Sequence, residues 1–372
     1  MRFMPVVYVR EGAKLGKHIY DDDGRILLKK GATLTKKILN RINEMGIRSV
    51  YIDDEFSDTE LEDIIKPELR NKAISAVKET FAHFEKFSRY ISENPMQNKH
   101  QIKKLNQKKD EYLQFLGKIS EEIINDILSN KHVIVNLIDI KSTDNYTYQH
   151  CINVAVLSLV LGIEMKLNKG ELKNLCLGAM LHDIGKTIIP KEILLKNGKL
   201  TKEEFEIIKE HTTKGYDYLK TSIDIPGTAR IITLQHHEKV DGSGYPQGLS
   251  DSEINKLAKI VAIADVYDAL TSDRPYRQAM PPNEALEYIY ANGGSHFDFE
   301  MVKTFSSKII PYPIGTLIKL SNGEIAVVED IIPNFPLRPK IRIISNDNGK
   351  VIDLMKEKNL VITGIQYEAP AS

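Results

Sequence analysis

Several apolar helical runs in this chain end in histidine or aspartate. Cys176 to Leu181 leads straight into His182-Asp183, Ala229 to Leu234 ends in His236-His237-Glu238, and Lys259 to Ala264 runs into Asp265. His150 precedes the apolar stretch Ile152 to Ile163, and a helix opened by Thr201 runs toward His211. Burying a carboxylate beside an imidazole is expensive unless a metal or hydrogen bonds compensate. A single histidine on an apolar helix is more often a satisfied core residue. A purely structural reading would leave all seven ligand-type residues unexplained, so the fold must gather these polar ends in one place.

Imidazole and carboxylate together suit iron, manganese, zinc or nickel. Two such cations joined by a shared carboxylate can hold a hydroxide between them and clamp a phosphoryl group. Cationic side chains stand in the right neighbourhoods. Lys186 follows His182-Asp183 directly, and Arg274 and Arg277 follow Asp265, offering positive charge to phosphate oxygens. Asp268 lies nearly one turn beyond Asp265, so both acids can share a helix face. Between the histidine pair and Asp265 comes Asp241-Gly242-Ser243-Gly244-Tyr245-Pro246, a tight turn able to fold over a site and present Tyr245.

The chemistry-bearing stretch occupies the middle of a multidomain chain of 372 residues. Residues 1–56 read as a small α+β unit: strands at 6–9, 17–20, 25–28 and 49–52, a turn at Asp22-Asp23-Gly24, and a helix over 35–46. Residues 57–138 are an acidic stretch, a turn at Pro67 and then amphipathic helix broken at Asn94-Pro95, a linker that is also a candidate dimerisation region. The lysines from Lys99 to Lys109 read first as a solvated helix face. Residues 139–310 form a mainly α-helical domain. Its expected markers are a capping box at Thr201 and Glu204, a helix opened by Pro281-Pro282 and closed by Gly293-Gly294, and an N-cap at Asp298. Residues 311–372 return to strands, with a hairpin at Asn322-Gly323, and suggest a small β-barrel or sandwich.

Composition narrows the function classes. Lys+Arg and Asp+Glu are equal at 51 each, so the basic surplus of a general DNA binder is missing. Cys151 and Cys176 lie in apolar runs without a CxxC pair, which argues against a disulfide framework and fits a reducing compartment. No stretch of about 18 or more uncharged apolar residues is evident, and the N-terminus lacks a signal-peptide core. The expectation is a soluble cytoplasmic protein with no membrane insertion.

The run Asp144 to His150, the segment HDIGK at 182–186, His211, the segment HHE at 236–238, DGSGYP at 241–246 and DVYDALTSDRPYR at 265–277 together resemble the HD-GYP phosphodiesterases, a branch of the HD phosphohydrolase superfamily. Order and spacing agree across residues 140–310. The resemblance implies a helical HD-type catalytic domain with two divalent cations, iron or manganese first. His150, His182, Asp183 and Asp265 would hold one, and Asp183 would bridge to a second held by His211, His236 and His237. It further implies hydrolysis of cyclic di-GMP to the linear dinucleotide pGpG, and on to GMP in some members, through a hydroxide held by both metals. Asp183 and Lys186 would be catalytic, while Lys186, Tyr245, Asp268, Arg274 and Arg277 match substrate-contact positions. Some members carry a glutamate four residues before the first histidine and bind a third metal. Tyr146 stands there, which favours two metals. The flanking units resemble accessory segments and carry no assigned activity, although a signalling protein is a candidate partner. The alternatives are a non-catalytic cyclic-dinucleotide sensor and a phosphohydrolase acting on cyclic GMP-AMP.

Overall fold

The computed structural model describes residues 1–21, 25–54, 64–94, 98–129, 146–196, 198–272, 279–344 and 349–367. The N-terminal unit contains β1 (Arg2–Pro5), β2 (Lys14–Leu15), β3 (Ile19–Tyr20), β4 (Ile26–Leu28), α1 (Lys36–Glu44) and β5 (Ser49–Asp53). Its main sheet has the antiparallel order β1-β5-β2, and β3 pairs with β4. The strand expected at 6–9 is instead a 3-10 turn over Val6–Tyr8, and the first strand lies before it. Val9 N–H bonds back to Val6 O at 3.2 Å, and Val7 and Tyr8 are both exposed, so the alternation of burial breaks there. The turn expected at 22–24 lies outside the described residues.

Eleven helices are described in all, and the remaining ten form the centre of the molecule: α2 (Pro67–Glu93), α3 (Lys99–Ser129), α4 (Tyr146–Glu164), α5 (Lys169–Leu181), α6 (Lys191–Leu194), α7 (Lys202–Leu219), α8 (Gly227–Gln235), α9 (Lys256–Thr271), α10 (Pro282–Ala291) and α11 (Phe299–Ser306). Pro67 begins α2 rather than turning the chain, because a proline at the first helical position forfeits no hydrogen bond. The capping box at Thr201 and Glu204 is made in both directions, and Asp298 accepts from Met301 N–H at the start of α11. One apolar core runs continuously from Ile64 to Ile309, so α2 and α3 are packed into the same body as the later helices. In the lysine run of α3, Lys99, Lys103, Lys104 and Lys108 are solvated, whereas Lys109 is buried and donates to Thr221 Oγ1 at 2.6 Å.

At the middle of that core lies α4, in contact with α2, α5, α9 and α11. It is buried from His150 to Gly162. By length and composition α4 alone among the described helices could cross a membrane, but it is mostly buried inside the protein, as its apolar stretch Ile152 to Ile163 implies. Burial on all sides accounts for its apolarity.

In the C-terminal unit, β6 (Leu317–Leu320), β7 (Ile325–Asp330), β8 (Lys340–Ile343), β9 (Val351–Asp353) and β10 (Ile362–Ile365) make one antiparallel sheet in the order β10-β6-β7-β8-β9. The expected C-terminal β unit is thus built on one sheet, whose core includes the loop residues Tyr312, Leu337 and Leu354. The Asn322-Gly323 hairpin is present, with Ile318 opposite Ala326. Tyr367 beyond β10 stacks on Tyr8, with ring centroids 5.1 Å apart, and so ties the two ends of the chain together.

Candidate metal centre

Five helices converge on one point. The C-terminus of α5 supplies His182, and Asp183 follows it before a 3-10 turn over Ile184–Ile188. α4 supplies His150, α7 supplies His211, the end of α8 supplies His236 and His237, and α9 supplies Asp265. Close backbone approach sets this up. A Cβ on Gly185 would fall 1.9 Å from the carbonyl oxygen of His211, so glycine alone lets the turn lie on α7.

Asp183 stands between two groups of histidines. Its Oδ2 lies 3.4 Å from His182 Nε2 and 3.9 Å from His150 Nε2. Its Oδ1 lies 3.6 Å from His211 Nε2 and 3.9 Å from His236 Nε2. Asp265 Oδ1 is 3.1 Å from His150 Nε2 and 3.9 Å from His182 Nε2, while its Oδ2 is 4.0 Å from His237 Nδ1. The donor atoms of Asp183, His211, His236 and His237 all fall within 4.8 Å of one another, as do those of His150, His182 and Asp183.

The outer nitrogens of these rings are already committed. Nδ1 of His182 donates to Ala179 O at 2.7 Å, Nδ1 of His211 to Ile208 O at 2.7 Å, and Nδ1 of His236 to Thr233 O at 3.0 Å. That fixes the tautomer and turns each Nε2 lone pair inward, as metal ligation requires. His182 Nε2 and Asp183 Oδ1 are buried and have no hydrogen-bond partner among the described residues. Two orphaned acceptors facing further inward lone pairs are costly in a protein interior and fit divalent cations.

Charge balance agrees. Burial, reinforced by neighbouring cationic groups, lowers His211 to about 4 and His237 to about 3, so both are neutral near pH 7. His236 is driven down the same way. Burial opposes ionisation of Asp183, but His182 and Lys186 together outweigh it and hold the carboxyl well below its usual range. Burial likewise opposes charge on His150, yet Asp265 and Asp268 on its two sides raise it to about 9.

The other expected site residues divide. Lys186 reaches the cluster and donates to Asp183 Oδ2 at 2.7 Å. The Tyr245 ring lies 4.7 Å from that of His237, so the 241–246 loop does fold over the site. A Cβ on Gly244 would sit 2.6 Å from His237 O, which explains a glycine there. Asp268, expected at substrate, is instead buried behind His150, with Oδ2 2.7 Å from Nδ1 and Oδ1 accepting from Asn153 Nδ2 at 3.0 Å. Its place is set by the helix: three residues on from Asp265, it meets the opposite edge of the same imidazole. Arg274 and Arg277 lie outside the described residues. Tyr146 stacks on His150 at 5.9 Å, where some resembled proteins have a carboxylate.

Two supporting residues have roles that the sequence did not reveal. Asn153 is one; a polar residue one turn from His150 in an otherwise apolar run was the available signal. The other is buried Glu238, whose two oxygens accept from Gln247 N–H at 2.7 Å and Leu249 N–H at 2.9 Å and so hold the loop down.

Residues 123–301 match the model of the HD domain family, and they carry the paired His182-Asp183 and the Gly244-Tyr245-Pro246 loop. This region is an HD domain of the HD-GYP type. Residues 317–368, which hold the C-terminal sheet, match the KOW domain associated with HD domain. The HD-GYP region is similar to the cyclic di-GMP phosphodiesterase PA4108 of Pseudomonas aeruginosa, 34% identical over 62% of this chain and 56% of that protein. It is also similar to a cyclic di-GMP phosphodiesterase of Thermotoga maritima, 40% identical over 51% of this chain and 52% of that one. A third relative is the 3'3'-cGAMP-specific phosphodiesterase 1 of Vibrio cholerae, 41% identical over 44% of this chain and 37% of that one. The chain thus spans at most about half the length of these relatives. The solved HD-GYP-type protein Bd1817 of Bdellovibrio bacteriovorus shares the fold, with TM-score 0.52 and 20% identity, over 82% of this chain and 97% of that one.

Proposed function

We propose that the HD-GYP domain is a metal-dependent phosphodiesterase that opens a cyclic dinucleotide, cyclic di-GMP in the first instance, to linear pGpG. The observation that carries this reading is the split of Asp183, whose two oxygens face two separate histidine groups. In it, His150, His182, Asp183 and Asp265 hold one cation, and Asp183, His211, His236 and His237 hold the other, with iron or manganese suited to this mixed N/O set. Such cations, when bound, supply Lewis acidity toward phosphoryl oxygens and lower the pKa of water.

The chain's own residues do the rest. Lys186, held at the rim by Asp183, places an ammonium where charge builds on the phosphoryl oxygens. Tyr245 lays a ring against His237 and closes one side of the cleft. Arg274 and Arg277 match substrate-contact positions and would supply positive charge for phosphate oxygens. The seven donors of the two proposed cation sites are brought together within this one chain. Tyr146 in place of a carboxylate supports two cations and a reaction that stops at pGpG. The reading places the protein in the cytoplasm, where its two buried cysteines remain unpaired thiols.

The naming of relatives for 3'3'-cGAMP gives a specific second reading, in which the hybrid dinucleotide is the substrate. Protein loaded anaerobically with ferrous iron or manganese should convert cyclic di-GMP to pGpG, and Asp183→Asn should not. Side-by-side turnover of cyclic GMP-AMP decides the base preference. Tight binding without cleavage under either metal would replace the enzyme with a sensor.

A further inference from the structure

A line of hydrogen bonds leaves the candidate metal centre and crosses the protein to a helix outside the family-matched span. His150 presents Nε2 to Asp265 and Nδ1 to Asp268 Oδ2 at 2.7 Å. Asp268 Oδ1 accepts from Asn153 Nδ2 at 3.0 Å, and Asn153 Oδ1 accepts from the guanidinium of Arg70 at 2.7 Å. Arg70 stands on α2, before the residues 123–301 that match the HD domain.

The polarity of this line is fixed at both ends. The Asn153 amide must give its N–H to a carboxylate and its oxygen to a cation. Turning it over would set oxygen against oxygen and donor against donor. Asn153 and Asp268 are both buried, at 1% and 4% exposure, so water does not substitute readily for either partner. Removing the guanidinium would leave Asn153 Oδ1 unsatisfied in the interior and loosen the group that holds Asp268. Asp268 in turn orients His150 and sets how strongly its Nε2 binds a cation, and losing such outer partners typically weakens metal binding by about 10–100-fold.

We infer that Arg70 is a positioning residue of the metal centre, acting through Asn153 and Asp268 on His150, so that α2 is part of the site's support rather than a spacer. The inference rests on the metal reading of the cluster. Cobalt(II) titration of the full chain, followed by its d–d absorption, tests both separately. Arg70→Met keeps the aliphatic stem and removes the donors; it should lower cobalt affinity by about tenfold and shift the d–d bands. Arg70→Lys should recover most of the loss. Lys72→Met, on the same helix as Arg70, breaks the exposed pair with Glu122 of α3 and the contact over the Phe115 ring, and should leave affinity and spectrum unchanged. Circular dichroism reports whether each variant is folded, and Arg70→Gln takes the place of the methionine variant should that one unfold. Wild-type affinity and spectrum in a folded Arg70→Met or Arg70→Gln protein overturn the inference while leaving the metal reading standing. Failure of the wild type to bind cobalt overturns the metal reading itself.

Discussion

His150 is gripped on both edges: Asp265 Oδ1 lies 3.1 Å from its Nε2 and Asp268 Oδ2 lies 2.7 Å from its Nδ1. Burial opposes charge on the ring, the two carboxylates outweigh it, and the metal-free imidazole keeps its proton up to about pH 9. A cation taking Nε2 must displace that proton. Below pH 9, metal affinity should therefore rise with pH, by about tenfold per unit for the one proton released. Manganese calorimetry in buffers of different ionisation enthalpy reads the proton directly. An affinity constant from pH 6.5 to 8 would contradict the arrangement.

Glu238 should matter to the loop and not to the metals. Its carboxylate accepts from the backbone of Gln247 and Leu249 in a buried setting. Glu238→Ala removes the acceptor of two part-buried N–H groups, a cost of up to about 3 kcal/mol if each charge-assisted bond is worth about 1.5. Denaturant unfolding should show that loss. Turnover should show a raised KM for cyclic di-GMP, with metal content per chain retained. Lost metal with an unchanged KM would place Glu238 elsewhere in the mechanism.

Gly185→Ala should disable the centre from the backbone side. The new methyl would occupy the position of His211 O, so the turn after Asp183 must lift from α7. Separation of Asp183 from His211 should empty the second donor set, and elemental analysis should find at least one cation lost. A folded variant with full metal content would show that the close approach is dispensable.

Away from the centre, His83 should set part of the acid sensitivity. It is buried against Tyr218, with Nδ1 3.0 Å from the phenol oxygen, and burial, aided by Lys108, Lys109 and Lys86, lowers it to about 4. An unfolded histidine titrates near 6.5. Between these values the unfolded chain binds a proton that the folded chain refuses, so stability falls as pH drops from 6.5 to 4. His83→Gln should flatten that part of the pH dependence of Tm relative to wild type. Identical slopes would remove His83 from the account.

How far the sequence could be read follows from where its information is local. Apolar runs ending in His182, His236 and Asp265 announce buried helices with polar ends, and the helical domain was legible from them. Asp268 was misplaced because helical spacing gives the shared face but not which neighbour lies there; α4 fills that place with His150. Asn153 stood out as a polar residue in an apolar run, but its role and that of Arg70 depend on partners on other helices, which the sequence does not name. In the N-terminal unit, four apolar residues at 6–9 look like a strand, but strand identity depends on pairing, and β5 pairs with residues 2–5 instead.

In the proposed arrangement, Asp183 joins two cation sites that act together on a cyclic dinucleotide. The most direct test is the rate of cyclic di-GMP hydrolysis measured as metal-free protein is titrated anaerobically with iron(II) or manganese(II). Turnover should reach its plateau only at two cations per chain. A plateau at one cation, or no turnover with two bound, would contradict the arrangement.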